Sequence, residues 1–168
     1  MQSAKDLLLT YVCYNHWAND ALAEVLKTID PSWLDREIKS SFPSIRKTAF
    51  HIWDAEYIWL SRFKGVSPSV FPSKHLPADT HPSRFAEGAK DFLEFIEQQN
   101  DSFFSATTTF NDMSAVEHVM ENSGMLMHTM NHSSFHRGQL VTQLRNAGFE
   151  GKLPRTDMII YLRENSGK

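Results

Sequence analysis

The sequence predicts an all-α protein: a four-helix bundle with one long crossover connection and a short C-terminal helix. Three observations lead there. Glycine and proline, the residues that punctuate regular structure, are absent from residues 1–30, 44–64, 89–123 and 155–166. Within these stretches apolar residues recur at helical spacing. Four prolines, Pro68, Pro72, Pro77 and Pro82, crowd between the second and third stretches and mark one irregular crossing. At 168 residues the chain is about one domain long. It carries no internal repeat or low-complexity tract, so residues 1–168 are read as a single unit.

The first helix is expected near Ala4 to Ile29, where Leu8, Tyr11, Val12, Ala18, Leu22, Val25, Leu26 and Ile29 share a face. Asp30-Pro31 stops it, because the residue before proline avoids helical dihedrals. Asn15 and Asn19 fall on the same apolar face. They are read first as satisfied core amides, and second as the lining of a polar pocket.

A second helix runs from about Ser44 to Lys64. One stripe is Ile45, Ala49, Ile52, Trp59 and Phe63; a nearly opposite one is Phe50, Trp53, Tyr57 and Leu60. A helix apolar on both sides is buried on both sides. Either a partner subunit or the chain's own loops must cover the second stripe, and the first option suggests a homodimer. The third helix is expected from about Ser83 to Thr107, with Phe85, Ala89, Phe92, Ile96 and Phe103 as its stripe and Thr107–Phe110 as a frayed end. Ala115 to Met120 reads as a loop with room for a short hairpin. A fourth helix follows from about Gly124 to Ala147, with Gly148 placed as its left-handed cap. Thr156 or Asp157 can cap a short last helix through Tyr161 and Leu162.

Composition narrows the partners. The chain is 41% hydrophobic and 22% charged, which argues against disorder. Its net charge of -3 leaves no basic excess to neutralise phosphates, so nucleic acid is not an expected partner. No apolar run approaches the ~20 residues that span a bilayer. The single cysteine, Cys13, rules out an internal disulfide and fits a reducing compartment. Met1 to Asp6 has no secretory layout. The expectation is a cytoplasmic protein.

The eight histidines are the unusual feature. His128, His132 and His136 lie four apart on the fourth helix, and each step of four drifts about 40° around it. The apolar stripe there is Leu126, Thr129, Ser133, Leu140, Leu144 and Ala147. His136 lies within the stripe, His132 at its edge, and His128 about 80° from His136 toward the far side. His132 with His136 is therefore the preferred metal-binding pair. Bundles build metal sites from facing helices, and a third ligand must come from another one. His51, flanking the core stripe of the second helix, is the best candidate; His16 is the competing third ligand or an optional fourth. His75, His81 and His118 read as solvated. Cys13 has no histidine partner in its neighbourhood and reads as inert packing. Arg137 is either a solvated or inter-helix charge or a group for an acidic substrate, the first being preferred.

Asn131-His132-Ser133-Ser134-Phe135-His136-Arg137-Gly138-Gln139-Leu140 resembles the N-H-x-x-x-H-R-G-Q signature of the DinB (DinB/YfiT-like) family. Phe50-His51-Ile52-Trp53-Asp54-Ala55-Glu56, Tyr14-Asn15-His16-Trp17-Ala18-Asn19 and Thr156–Arg163 are similar to other segments of that family, in the right order. The resemblance implies a four-helix bundle, commonly a homodimer. It implies one divalent metal ion on three histidines, which by position are His51, His132 and His136. Family members of known activity resemble thiol-dependent transferases and isomerases.

Three imidazoles leave an open coordination position, the layout of catalytic rather than structural zinc. A water or thiol there loses its proton more easily. Zinc and nickel come first among ions that suit imidazole. Asp54 and Gln139, one turn from His51 and His136, are candidates to hold the ligands' second nitrogens, or else ordinary flank residues. The first expectation is an enzyme that activates a small thiol for transfer or isomerisation of a small-molecule substrate. The alternatives are a hydrolase using bound water, a non-catalytic metal- or ligand-binding protein with its shell closed by His16, and a plain helical interaction module.

Overall fold

The structure is a computed structural model and describes residues 4–166. Four long or medium helices form the bundle: α1 (Ala4–Thr28), α2 (Ile45–Phe63), α3 (Phe85–Glu97) and, after two short strands, α5 (Asn122–Ala147). The chain also contains α4 (Asp101–Ser105), β1 (Thr107–Asn111), β2 (Glu117–Glu121) and α6 (Met158–Asn165). α2 packs against α5 and α3, and α1 packs against α3 and α5, so each helix has two neighbours around a common core. Among the described residues no helix is long and apolar enough to cross a membrane.

Local chemistry explains the ends. Ser44 caps α2, its hydroxyl accepting from the Lys47 N–H at 3.2 Å. Gly148 closes α5 at φ +106°, a conformation that only glycine adopts without strain. Its N–H returns to the carbonyl of Arg145, and the Phe149 N–H to that of Leu144. Asp157 precedes α6, but neither it nor Thr156 caps that helix through a side chain. Thr156 instead accepts the Tyr14 hydroxyl through its carbonyl at 2.7 Å.

The expected third helix is two helices. Asn100 interrupts it: its Oδ1 accepts from the N–H of Phe103 at 3.2 Å and starts α4 as a new helix. The threonines read as a frayed end are strand β1, antiparallel to β2 from Thr107 opposite Glu121 to Asn111 opposite Glu117. β-Branched residues favour that pleated backbone. The turn is held by Asp112, whose carboxylate accepts from the N–H groups of Ser114 (2.8 Å) and Val116 (3.0 Å). The short hairpin therefore exists, and it is longer than the 115–120 segment suggested.

The second stripe of α2 is covered from within the chain. Trp53 packs with Phe85 and Ala86 of the α3 region, and Leu60 with Phe92 and Ile96. Tyr57 stays open, at 44% exposure, and Phe50 is half-buried. That stripe does not call for a second subunit.

Candidate metal centre

α2 and α5 lie side by side, and three histidines meet where they pack. His51 comes from the second turn of α2 and His132 and His136 from the middle of α5. One ligand nitrogen from each lies within 4.8 Å of the others. Among the described residues this is the group of histidine, cysteine and carboxylate side chains so arranged. His51 Nε2 and His132 Nε2 are 3.1 Å apart. Two nitrogens sharing a tetrahedral zinc at about 2.0–2.1 Å stand about 3.4 Å apart, so this pair needs only a small opening to hold one ion.

The surroundings keep the rings neutral, the form that binds metal. Burial pushes His51 down to about 4, helped by the neighbouring His136. Burial, with the charges of His136, His51 and His128, pushes His132 down to about 3. Burial also lowers His136, against a hydrogen bond to Gln139 that raises it. Phe42 stacks on His51, with centroids 4.0 Å apart and planes 28° apart, and turns its edge or face to His136 at 5.5 Å. His51 and His132 remain half-buried, and His136 is buried.

Gln139 orients one ring. Its Nε2 donates to Ser41 Oγ at 3.0 Å, which leaves Oε1 as the acceptor for His136 Nδ1 at 2.8 Å. The ring proton then sits on Nδ1, and Nε2 is free for a cation. Asp54 does not do this for His51. Both its oxygens are engaged by Ser73, from the N–H at 2.7 Å and the hydroxyl at 2.6 Å, so it ties down the proline-rich crossing. His132 Nδ1 is buried with no hydrogen-bond partner among the described residues.

The resemblance read from the motifs is met by comparison. The model of the DinB family matches residues 1–165. The chain belongs to the DinB family. Protein DinB of Bacillus subtilis (strain 168) is 29% identical over 157 residues, which is 89% of this chain and 90% of that protein. Two solved DinB-like structures share the fold. One, from Bacillus cereus ATCC 10987, has a TM-score of 0.65 at 23% identity and covers 88% of this chain and 94% of its own. The other, from Bacillus subtilis, has a TM-score of 0.67 at 15% identity and covers 90% and 98%.

The remaining histidines of this DinB-family chain lie elsewhere. His16, weighed as a third or fourth ligand, is outside the cluster; its Nε2 is 3.4 Å from Asp20 on the same helix. His128 sets its ring against Trp59 at 5.1 Å, with its centroid 5.9 Å from that of His132. His75 and His81 are exposed. His118, expected to be solvated, is half-buried and pairs with Asp112 at 3.0 Å. The Cys13 thiol sits beside Tyr161, and burial pushes it up.

Next to the histidines lies a buried polar cluster. Glu56 is fully buried, and its Oε1 accepts from Asn15 Nδ2 (2.7 Å), Asn19 Nδ2 (3.0 Å) and Ser133 Oγ (2.8 Å). Arg137 donates through Nη1 to Oδ1 of both Asn15 and Asn19, the latter at 2.8 Å, and through Nη2 to Ser134 Oγ at 2.8 Å. Burial pushes the Glu56 carboxyl up, against the pull of its amide and hydroxyl donors and of Arg137. Asn15 and Asn19 are thus satisfied core amides, and Arg137 is an inter-helix charge. Glu56 escaped the sequence reading. Its signal was a gap: the stripe of Ile45, Ala49, Ile52, Trp59 and Phe63 skips position 56. Phe42, in an irregular connection, left no periodic signal.

Proposed function

We propose that this DinB-family protein is a metal-dependent enzyme that activates a small thiol for transfer or isomerisation. One divalent ion, zinc or nickel, is held by His51, His132 and His136. The observation that carries the reading is the convergence of three neutral imidazoles from two helices at a half-open position. When bound, such an ion stabilises the anion of a water or thiol and supplies a nucleophile near neutral pH. The thiol is what the family resemblance implies.

The chain's own residues have separate tasks. Gln139 holds the proton of His136 on Nδ1, which leaves Nε2 available as the atom that would bind the ion. Phe42 and Phe71 flank His51, limiting water on that side and keeping the ring neutral. The half-exposed side of His51 and His132 is where a small-molecule substrate enters. The working form is taken to be a homodimer, as the resemblance implies, and a cytoplasmic one, as the single cysteine and the N-terminal sequence suggest; light scattering at twice the chain mass is the expected result.

Metal analysis of protein purified without added metals tests the reading first: about one equivalent of zinc or nickel is expected, and loss of it in His132→Ala. A panel of low-molecular-weight thiols with electrophilic acceptors then tests the chemistry. Metal-dependent conjugation supports the thiol reading. Ester turnover without thiol replaces it with hydrolysis, and absence of bound metal overturns both.

A further inference from the structure

Glu56, Asn15, Asn19, Ser133 and Arg137 join α1, α2 and α5 at one level of the bundle. Each asparagine donates to Glu56 through Nδ2 and accepts from Arg137 through Oδ1, so two amides one turn apart form parallel bridges between a carboxyl and a guanidinium. All five residues are 2% exposed or less. Building on the metal reading above, we propose that this cluster is a positioning device for the histidine centre. It sets the register of α5 along α2, and so brings His132 and His136 to rest opposite His51.

The apolar core cannot do this alone. Leu126, Met130, Leu140 and Leu144 of α5 are all buried apolar side chains, and a slide of one turn, about 5.4 Å, puts Met130 in the place of Leu126 and Leu144 in that of Leu140. The polar cluster tolerates no slide. Moving α5 by a turn takes Ser133 away from Glu56 and Arg137 away from both asparagine carbonyls, so the buried Arg137 guanidinium and the two asparagine oxygens lose these partners, while Glu56 keeps only its two amide donors. Uncompensated buried charge is heavily penalised. Polar contacts of this kind single out one register among several that apolar packing accepts.

The path to the metal centre is short. Ser133 follows His132 in the chain and Arg137 follows His136, so each clamped residue adjoins one ring of the pair. On the other side Glu56 lies five residues beyond His51 on the same helix. A shift of the cluster is a shift of the rings.

Three variants test this: Ser133→Ala, Glu56→Ala and Glu56→Gln. Zinc affinity is measured by competition with a chromophoric chelator, and ring placement by imidazole 1H–15N NMR of the metal-free proteins. Outer groups that hold ligands in place typically contribute 10–100-fold in affinity. Glu56→Ala is expected to weaken zinc binding by that range and Ser133→Ala by about tenfold, with the ring resonances of His132 and His136 displaced in both. Glu56→Gln keeps Oε1 for its three donors and is expected to stay within about threefold of the parent. Ser133→Ala with parental zinc affinity and unmoved ring resonances overturns the proposal. Should Glu56→Ala not fold, Ser133→Ala decides alone. Should the parent protein bind no zinc, the metal reading falls, and the resonances of the metal-free variants still decide the positioning role.

Discussion

His51 and His132 face one another through Nε2 at 3.1 Å, and both are held neutral far below the ordinary imidazole value. This has a consequence for metal-free protein. Between pH 6.5 and about 4 the unfolded chain binds protons at these rings and the folded chain does not. Folding stability therefore falls as pH drops through that window and is unaffected by these rings above it. The Glu56 and Asp54 carboxyls, raised by burial, act in the opposite sense. The histidine part is isolated by comparing urea midpoints at pH 7.5 and 5.0 in the parent and in a His51→Gln/His132→Gln double variant. The parent is expected to lose more between the two pH values; equal losses would mean the rings are hydrated. At the same scale, Gln139→Leu removes the acceptor for His136 Nδ1. It is expected to weaken zinc binding 10–100-fold without lowering the urea midpoint of the metal-free form.

At the scale of elements, α2 and α3 pack tightly at Gly88. A Cβ built on Gly88 would stand 2.6 Å from Cδ1 of Trp53, a ring that is 8% exposed and has nowhere to retreat. Helix propensity alone favours alanine there by about 1 kcal/mol, but overpacking of this kind costs about 1–3 kcal/mol. Gly88→Ala is expected to destabilise in a urea titration; a stabilised variant would show that α3 is free to shift. The hairpin has a different anchor. The guanidinium of Arg62, on α2, lies 4.4 Å from the ring centres of both Trp59 and Phe110 and is nearly buried. Arg62→Ala is expected to speed amide exchange in β1 and β2 at least tenfold while α2 and α5 exchange as before. The helices themselves were legible in the sequence because their cores are long runs at one period, and because Pro31, Ser44 and Gly148 mark ends by backbone chemistry. The break at Asn100 was not, since the apolar stripe runs on from Ile96 to Phe103 as if uninterrupted. His132 and His136 stood out by spacing and His51 by its flank position, but Glu56 showed only as a gap in the α2 stripe, and its role depends on partners on other helices.

For the whole molecule, an ion held at the three histidines would tie α2 to α5, and so the first half of the chain to the second. Anything that binds only the folded state adds RT ln(1 + [L]/Kd) to its stability. Zinc at one hundred times its Kd is expected to add about 2.7 kcal/mol to the parent, read as a raised melting temperature, and nothing to His132→Ala. The frame and the mouth of the centre are also built differently. The rings stand on helices, but Phe42, lying flat on His51, is delivered by the irregular stretch before α2 and held there by Gln143, whose Nε2 donates to the Phe42 carbonyl at 2.7 Å. A substitution at position 42 would therefore remake this roof over His51 while every rod beneath keeps its place.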